Sequence, residues 1–396
     1  MSVKLIDHSP DIKRLRDEGY EVKVEVPYLI VSGVPYFNSK LEICYGTLVT
    51  DLTLAGNATS RPNNHVIHFI GEHPCNKNGT AISALTYIDN PTSLTSNLIV
   101  DRSFSNKPKD GYKNYYEKIT TYINVISAPV RSVDYNISAQ TYKLVDSTDL
   151  SSVFNYPDTN TSRAEIGILS EKLENQHVAI IGLGGTGSYI LDLIAKTPLS
   201  EIHLFDADKF QTHNAFRAPG APDLQTLIDM PSKVEYLSNI YSKMHKKIIT
   251  HSTFITKSNL NELVDINFVF ICIDKGSIKK DIITYLNENK KKFVDVGMGV
   301  ELTEANSIIG LIRVTSSGNN GEIDHIINKN RISFSDGGEE DIYRQNIQIA
   351  ELNALNATLA VIKWKKMYGF YYQAQNEKHS LYSIDDNTIL NDDFDT

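Results

Sequence analysis

The 396-residue chain predicts two domains: a smaller β-rich α+β module, then an α/β domain built on a doubly wound, mostly parallel sheet. Three observations carry this prediction. From Gln176 onward, short apolar runs alternate with stretches of helical period. One run, Asn267 to Ile273, is apolar almost throughout, as a strand buried on both faces should be. Before about residue 150, period-two alternation and glycine turns prevail instead. The expected boundaries are 1–146 for the first domain, 147–162 for a linker and 163–396 for the second.

In the first domain, Val22, Val24 and Val26 alternate with Lys23 and Glu25, a half-buried strand pattern. Tyr28 to Val31 and Val34 to Phe37 flank Ser32-Gly33 and predict a hairpin with a glycine turn. Thr47 to Leu54 and His65 to Ile70 are further strands, and Tyr112 to Ile126 has helical spacing. Ser147 to Thr161, rich in Ser, Asp, Asn and Thr, reads as the linker, with a helix over about Arg163 to Leu173 after it.

In the second domain, His177 to Gly182 is a strand, and Thr186 to Lys196 a helix stopped by Thr197-Pro198. Ile202 to Asp206 is the next strand, and Ser232 to Met244 a helix with Val234, Leu237, Tyr241 and Met244 on one face. Ile248 to Thr250, Asn267 to Ile273 and Lys292 to Gly297 are strands, and another strand pair is expected near Ser307 to Val314. A long helix over about Asp341 to Met367 should bury Ile349, Leu352, Leu355, Leu359 and Ile362, with Gly369 just past its end. Tyr382 to Leu390 closes the chain as a hairpin, and the five aspartates within Asp385 to Thr396 form a solvated tail.

Composition narrows the possible functions. Hydrophobic residues at 41% and charged residues at 22% are ordinary for a soluble globular protein. A net charge of −9 argues against a broad surface for nucleic acid or anionic membrane. Three cysteines, Cys44, Cys75 and Cys272, make no disulfide framework and cannot build a four-cysteine zinc site, so no zinc is expected. The charged N-terminus has no apolar signal core, and no run of about 18 apolar residues exists, so a cytoplasmic protein is expected.

The residues that carry chemistry begin with Gly182-Leu183-Gly184-Gly185-Thr186-Gly187, between a strand and a helix. Glycines permit a tight turn and close approach of the backbone to phosphate oxygens, while the helix N-terminus offers free N–H donors. Such a loop suits NAD, FAD or ATP. Asp206 ends the next strand, where a carboxylate can accept from ribose hydroxyls. Asp208, Asn214, Arg217 and Lys233 follow, and Asp274 ends a later strand on the same sheet edge. Two cations near a phosphate loop can neutralise triphosphate charge, and a carboxylate opposite them can hold Mg²⁺. An NAD-dependent oxidoreductase, the competing possibility, needs no such set.

These elements, in this order, resemble the ThiF, MoeB and ubiquitin-activating-enzyme superfamily over about residues 163 to 315. The resemblance implies a Rossmann-like, ThiF-like sheet that uses ATP and Mg²⁺ to adenylate a carboxylate. Asp206 would bind ribose, Arg217 and Lys233 the phosphates, and Asp274 would hold Mg²⁺ and orient the carboxylate. Asn214 would help position the phosphate loop. Arg163 is the match for an arginine that the family often supplies across a homodimer. The implied substrate is the C-terminus of a ubiquitin-like or sulfur-carrier-like protein, possible further partners include a conjugating-enzyme-like protein, and the alternative substrate is a small-molecule or RNA carboxylate.

The chain departs from the family at its cysteines. Bacterial relatives often carry two CxxC pairs, absent here. Cys272 lies in an apolar run and Cys44 in a strand pattern, so both read as core. Cys75, after His73-Pro74 in a turn-like stretch, is the candidate for a thioester acceptor. His65, His68, His73 and Cys75 are weak metal candidates, since His65 and His68 would face opposite sides of a strand. The N-terminal module resembles an uncharacterised domain found before ThiF-like domains in bacterial proteins, on Val34-Pro35-Tyr36, Gly71 to Cys75 and Tyr115 to Lys118, and partner recognition is its expected role.

Overall fold

The computed structural model describes residues 5–6, 8–145, 152–336 and 347–392. The chain divides into two compact units, residues 1–152 with 156–167, and residues 153–155 with 168–396.

In the first unit, helix α1 (Pro10–Asp17) precedes strands β1 (Glu21–Glu25), β2 (Tyr28–Phe37), β3 (Ile43–Asp51), β4 (Val66–Ile70), β5 (Thr86–Ile88) and β6 (Arg102–Ser105). They form an antiparallel sheet in the order β1-β2-β3-β4-β6-β5. Helix α2 (Tyr115–Arg131) begins where the Asn114 side chain accepts the Glu117 N–H at 2.9 Å. Ile119, Tyr122 and Ile126 on α2 are fully buried in a core shared with Leu29, Val31, Leu48, Ile67 and Phe69. The hairpin expected at Ser32-Gly33 is not there. Residues 28–37 are one strand, Gly33 (φ +72°) marks a bulge in its pairing with β3, and the chain reverses instead between Glu25 and Tyr28. A left-handed glycine serves a bulge as well as a turn, and the pattern alone does not separate the two.

The linker expected at 147–162 lies partly outside the described residues. Of the helix expected over 163–173, two short pieces form, Thr159–Arg163 and Gly167–Glu171, with Glu165 between them in the left-handed region (φ 58°).

The second unit holds β7 (His177–Ile181), α3 (Gly185–Ile194), β8 (Glu201–Phe205), α4 (Lys233–Tyr241), β9 (Ile248–His251), β10 (Phe268–Ile271), α5 (Gly276–Glu288), β11 (Lys292–Leu302), β12 (Ile308–Ser316), α6 (Ala350–Met367), β13 (His379–Ser383) and β14 (Thr388–Asp392). Their strand order is β9-β8-β7-β10-β11-β12-β13-β14. The first five are parallel and the last three join antiparallel, so the doubly wound α/β prediction holds. Strand β11 runs past the expected Gly297 because β12 pairs with it as far as Leu302↔Ile308.

Both faces of the parallel part are covered. Val178, Ile180 and Leu204 pack with Ile190, Ile194, Leu237 and Trp364. Ala179, Ile181, Val269 and Ile271 pack with Ile282, Ile283 and Leu286. This two-sided burial is why the strands read as apolar runs.

Helix α6 corrects the expected stripe. The start expected at 341–346 lies outside the described residues, and Ile349 is the N-cap. Leu352, Leu355, Leu359 and Ile362 are only half-buried, whereas Asn353, Asn356, Ala357, Ala360 and Trp364 are buried. The helix lies close against α3, where small side chains and amides with fixed partners fit better than leucines. No helix of the described residues is long and apolar enough to cross a membrane.

Candidate nucleotide site

The site lies at the C-terminal ends of β7, β8 and β10, where a doubly wound sheet opens a crevice. Strand β7 passes into Gly182, whose φ of +91° and a would-be Cβ 2.6 Å from the Cys272 carbonyl oxygen exclude other residues. At Gly187 a Cβ would stand 2.0 Å from the Gly182 carbonyl oxygen, so the loop closes tightly on the first turn of α3. At Gly184 nothing lies within 4 Å, which leaves the outer side of the loop open. Thr186 Oγ1 donates to Asn353 Oδ1 at 2.9 Å, and Asn353 also presses on Gly185, tying the loop to α6.

Asp206 is 4% exposed and organises the loop from beneath. Its carboxylate accepts the Leu183 N–H at 2.7 Å and the Asp208 N–H at 2.8 Å. Lys233 Nζ lies 3.5 Å from Asp206 and 2.7 Å from the more exposed Asp208 carboxylate. Lys233 is held there because Ser232 and Glu235 form a capping box at the start of α4, and because the Lys233 N–H donates to the Asp208 carbonyl at 2.9 Å. Lys233 is thus a buried ion-pair partner rather than a solvated helix residue.

Asn214 sits in the helical turn Thr212–Ala215, where its Oδ1 accepts the Gln211 N–H at 2.9 Å. Its Nδ2 is buried without a hydrogen-bond partner, and so is Nε of Arg217. Burial pulls the Arg217 guanidinium below its usual value, while the nearby Asp274 carboxylate opposes this. Burial, and then the charges of Arg217 and Lys233, likewise push His213 down. Two unpartnered donors in a positive field beside an open glycine loop suit an anion with several oxygens. Asp274 is exposed, two residues before α5 begins at Gly276, so it is not that helix's first residue. The structure therefore gathers the loop, Asp206, Asp208, Asn214, Arg217, Lys233 and Asp274 at one end of the sheet. Arg163 ends the short helix Thr159–Arg163 of the first unit and is exposed.

Two features escape the sequence. Asn353 reaches the loop from 167 positions away, and its signal, Asn353 and Asn356 in an otherwise apolar helix, reads as a break in a stripe. Asp295, fully buried in β11, faces Lys279 at 2.9 Å and Arg313 at 2.9 Å, and only the single carboxylate in Phe293-Val294-Asp295-Val296 hints at it.

Cys75 is a correction. It is 2% exposed, its N–H donates to the Phe37 carbonyl at 2.7 Å, its Sγ lies 3.2 Å from the His73 carbonyl oxygen, and burial pushes its thiol up. The stretch pairs with β2 instead of looping outward, so Cys75 lacks the lowered pKa and access of a thioester nucleophile. Cys272 is half-buried against the core, and burial holds its thiol far above the usual range. Cys44 is also half-buried, with its thiol raised by burial. His68 bonds Ser103 at 2.8 Å, and no group of three or more His, Cys, Asp or Glu among the described residues is arranged to hold a metal.

Residues 10–159 match a domain family of unknown function, DUF6791, and residues 160–331 match the ThiF family. Ubiquitin-like modifier-activating enzyme 5 of Drosophila mojavensis is 27% identical over 143 residues, which are 32% of this chain and 35% of that protein. The tRNA threonylcarbamoyladenosine dehydratase of Haemophilus influenzae is 25% identical over 130 residues, 32% of this chain and 49% of that protein. The chain thus spans about a third of the length of the activating enzymes it matches. Among solved structures, PaaA covers 70% of this chain and 86% of its own at a TM-score of 0.49 and 17% identity. Escherichia coli MccB with ATP covers 57% and 66% at 0.43 and 18%. Likenesses so distant bear on neither site nor substrate. The five motif elements in order, their convergence at one sheet edge and the match over 160–331 make this part of the chain a ThiF-family domain.

Proposed function

We propose that the chain adenylates a carboxylate with ATP. The carrying observation is the pair of buried, unpartnered donors, Asn214 Nδ2 and Arg217 Nε, beside a glycine loop braced by Asp206 and Lys233. In this proposal the loop N–H groups and the α3 N-terminus hold phosphate. Arg217 and Lys233 take up charge on the departing pyrophosphate as the carboxylate attacks the α-phosphorus. Lys233 leaves Asp208 to do so. Asp206, with three donors already around it, keeps the loop in shape and offers its remaining lone pair to ribose. Asp274 would hold Mg²⁺, which supplies charge neutralisation between phosphates.

The proposed substrate is the C-terminus of a ubiquitin-like or carrier protein, in keeping with the activating enzymes among the relatives. A second reading, a small-molecule or RNA carboxylate, draws on the dehydratase relative and the enclosed Cys75. Partner-dependent ATP–pyrophosphate exchange decides between them. Exchange that requires a small β-grasp protein supports the first, exchange or AMP release without protein supports the second, and ATP binding with neither refutes adenylation. D274A and R217A should each lower exchange about a hundredfold or more. If Arg163 acts across a homodimer, mixing inactive R163A and D274A chains should restore about a quarter of wild-type exchange.

A further inference from the structure

We propose that Arg313, braced by Asp295 and Lys279, binds a second acidic group on the substrate, beside the carboxylate that is adenylated. The substrate is then a short dicarboxylate or a peptide end that carries an Asp or Glu side chain. This inference rests on the adenylation reading and narrows its substrate. Strand β10 runs through Asp274 into α5, and α5 packs on the face of β11 that carries Phe293 and Asp295. Gly297 and Gly299 continue that face by the two-residue period of a strand. Arg313 and Leu311 stand opposite them on β12. Asp274 and Arg313 therefore serve the same side of the sheet, two strands or about 10 Å apart. Since Ile271 pairs with Asp295, and Arg313 with Gly297, Arg313 lies level with the stretch where the chain nears Asp274.

The charge count points to an anion. Asp295 is fully buried and meets Lys279 and Arg313, each at 2.9 Å. Among the described residues, neither cation has another carboxylate within 4 Å. One positive charge is left over, and a buried surplus charge is costly until an anion or water answers it. Of the five Arg313 N–H groups, one donates to Asp295 and one to Thr315 Oγ1 at 2.8 Å, which leaves three unused within the chain. The Thr315 hydroxyl donates onward to His379 Nδ1 at 2.9 Å. Burial, and then the charges of Arg331 and Arg313, push His379 down to about 4, so that ring adds no charge at neutral pH. Space is provided as well. A Cβ on Gly297 would stand 2.6 Å from Arg313 Nη2, so only glycine leaves the guanidinium its place. Gly299 has nothing within 4 Å, and Leu311 is exposed, so the adjoining face is open. The Arg313 side chain is 18% exposed, enough for a ligand to reach it.

Calorimetric titration tests this on the full chain saturated with the non-hydrolysable analogue AMPCPP and Mg²⁺. Glutarate and the peptide Gly-Glu-Gly should bind about tenfold tighter than butyrate and Gly-Gln-Gly, as one charged hydrogen bond warrants. Tighter binding of glutarate than of the acidic peptide assigns a small dicarboxylate, and the reverse order a peptide end. R313Q should remove the preference for the acidic probes and leave AMPCPP affinity unchanged. G299E leaves the buried cluster intact and sets its own carboxylate beside Arg313, so it should remove the preference even if R313Q misfolds. Equal binding of acidic and neutral probes, a preference that survives both variants, or loss of AMPCPP affinity in R313Q overturns the proposal. Pyrophosphate exchange checks the reading beneath it: a preference lost in R313Q without exchange by any carboxylate sinks adenylation and keeps the anion site. Exchange that neither variant alters keeps adenylation and sinks the anion site.

Discussion

At the scale of single residues, the phosphate loop separates glycines needed for shape from a glycine needed for access. Gly187 has a backbone oxygen where a Cβ would sit, and backbone cannot move aside as a flexible side chain can. G187A should therefore cost about 3 kcal/mol in urea denaturation. Gly184 faces open space, so G184A should change stability by less than about 0.5 kcal/mol. Its added methyl would still stand where a phosphate approaches, and the rise in melting temperature on adding ATP should shrink. Equal loss of stability in both variants would contradict this division. The loop, Asp206, Asp208, Asn214, Arg217, Lys233 and Asp274 were legible because a glycine string, a strand-end acid and well-placed cations are local signals. The enclosure of Cys75 was not, because its partner strand β2 lies far away in sequence.

At the scale of elements, helix α4 matters through its first turn. Ser232 accepts the Glu235 N–H and Glu235 returns to the Ser232 N–H, which sets Lys233 against Asp206 and Asp208. S232A should lose about 1 kcal/mol of stability and weaken ATP binding, whereas the cap variant N114A on α2 should lose a similar amount with ATP binding unchanged. Denaturation and nucleotide titration of both variants check the contrast. Strand period and helix period placed most elements correctly, with ends shifted by a few residues. They failed where partners decide the outcome. Ser32-Gly33 is a bulge because β3 continues alongside it, and α6 turns Asn353 inward to meet the glycine loop and Asn356 inward to donate to the Gly297 carbonyl on β11.

At the scale of the whole molecule, the folded state depends on histidines kept neutral. His245 is fully buried, its Nε2–H donates to the Leu199 carbonyl at 3.0 Å, and its Nδ1 accepts the Lys247 N–H at 3.2 Å. A second ring proton would meet that N–H, and burial pushes the group down to about 4. The unfolded chain, with a pKa near 6.5, takes up this proton first. The contribution to stability is therefore present above pH 6.5 and lost as pH falls towards 4. Between pH 7.5 and 4.5, the stability difference between wild type and H245Q should change by about 2–3 kcal/mol in favour of the variant. A difference that stays constant with pH would show that His245 does not carry the effect.

The sequence alone determined the α/β grammar of the second unit, the glycine loop and the order of the acidic and basic residues around it, because each is written within a few residues by period, φ requirement or charge. Tertiary structure decided what those residues touch. It spent most of the Asp206 carboxylate on the loop itself, left Asn214 Nδ2 and Arg217 Nε without partners, enclosed Cys75, and brought His203 beside His251. Contacts between residues tens to hundreds of positions apart follow from strand order and helix packing, and no local pattern in the chain encodes them.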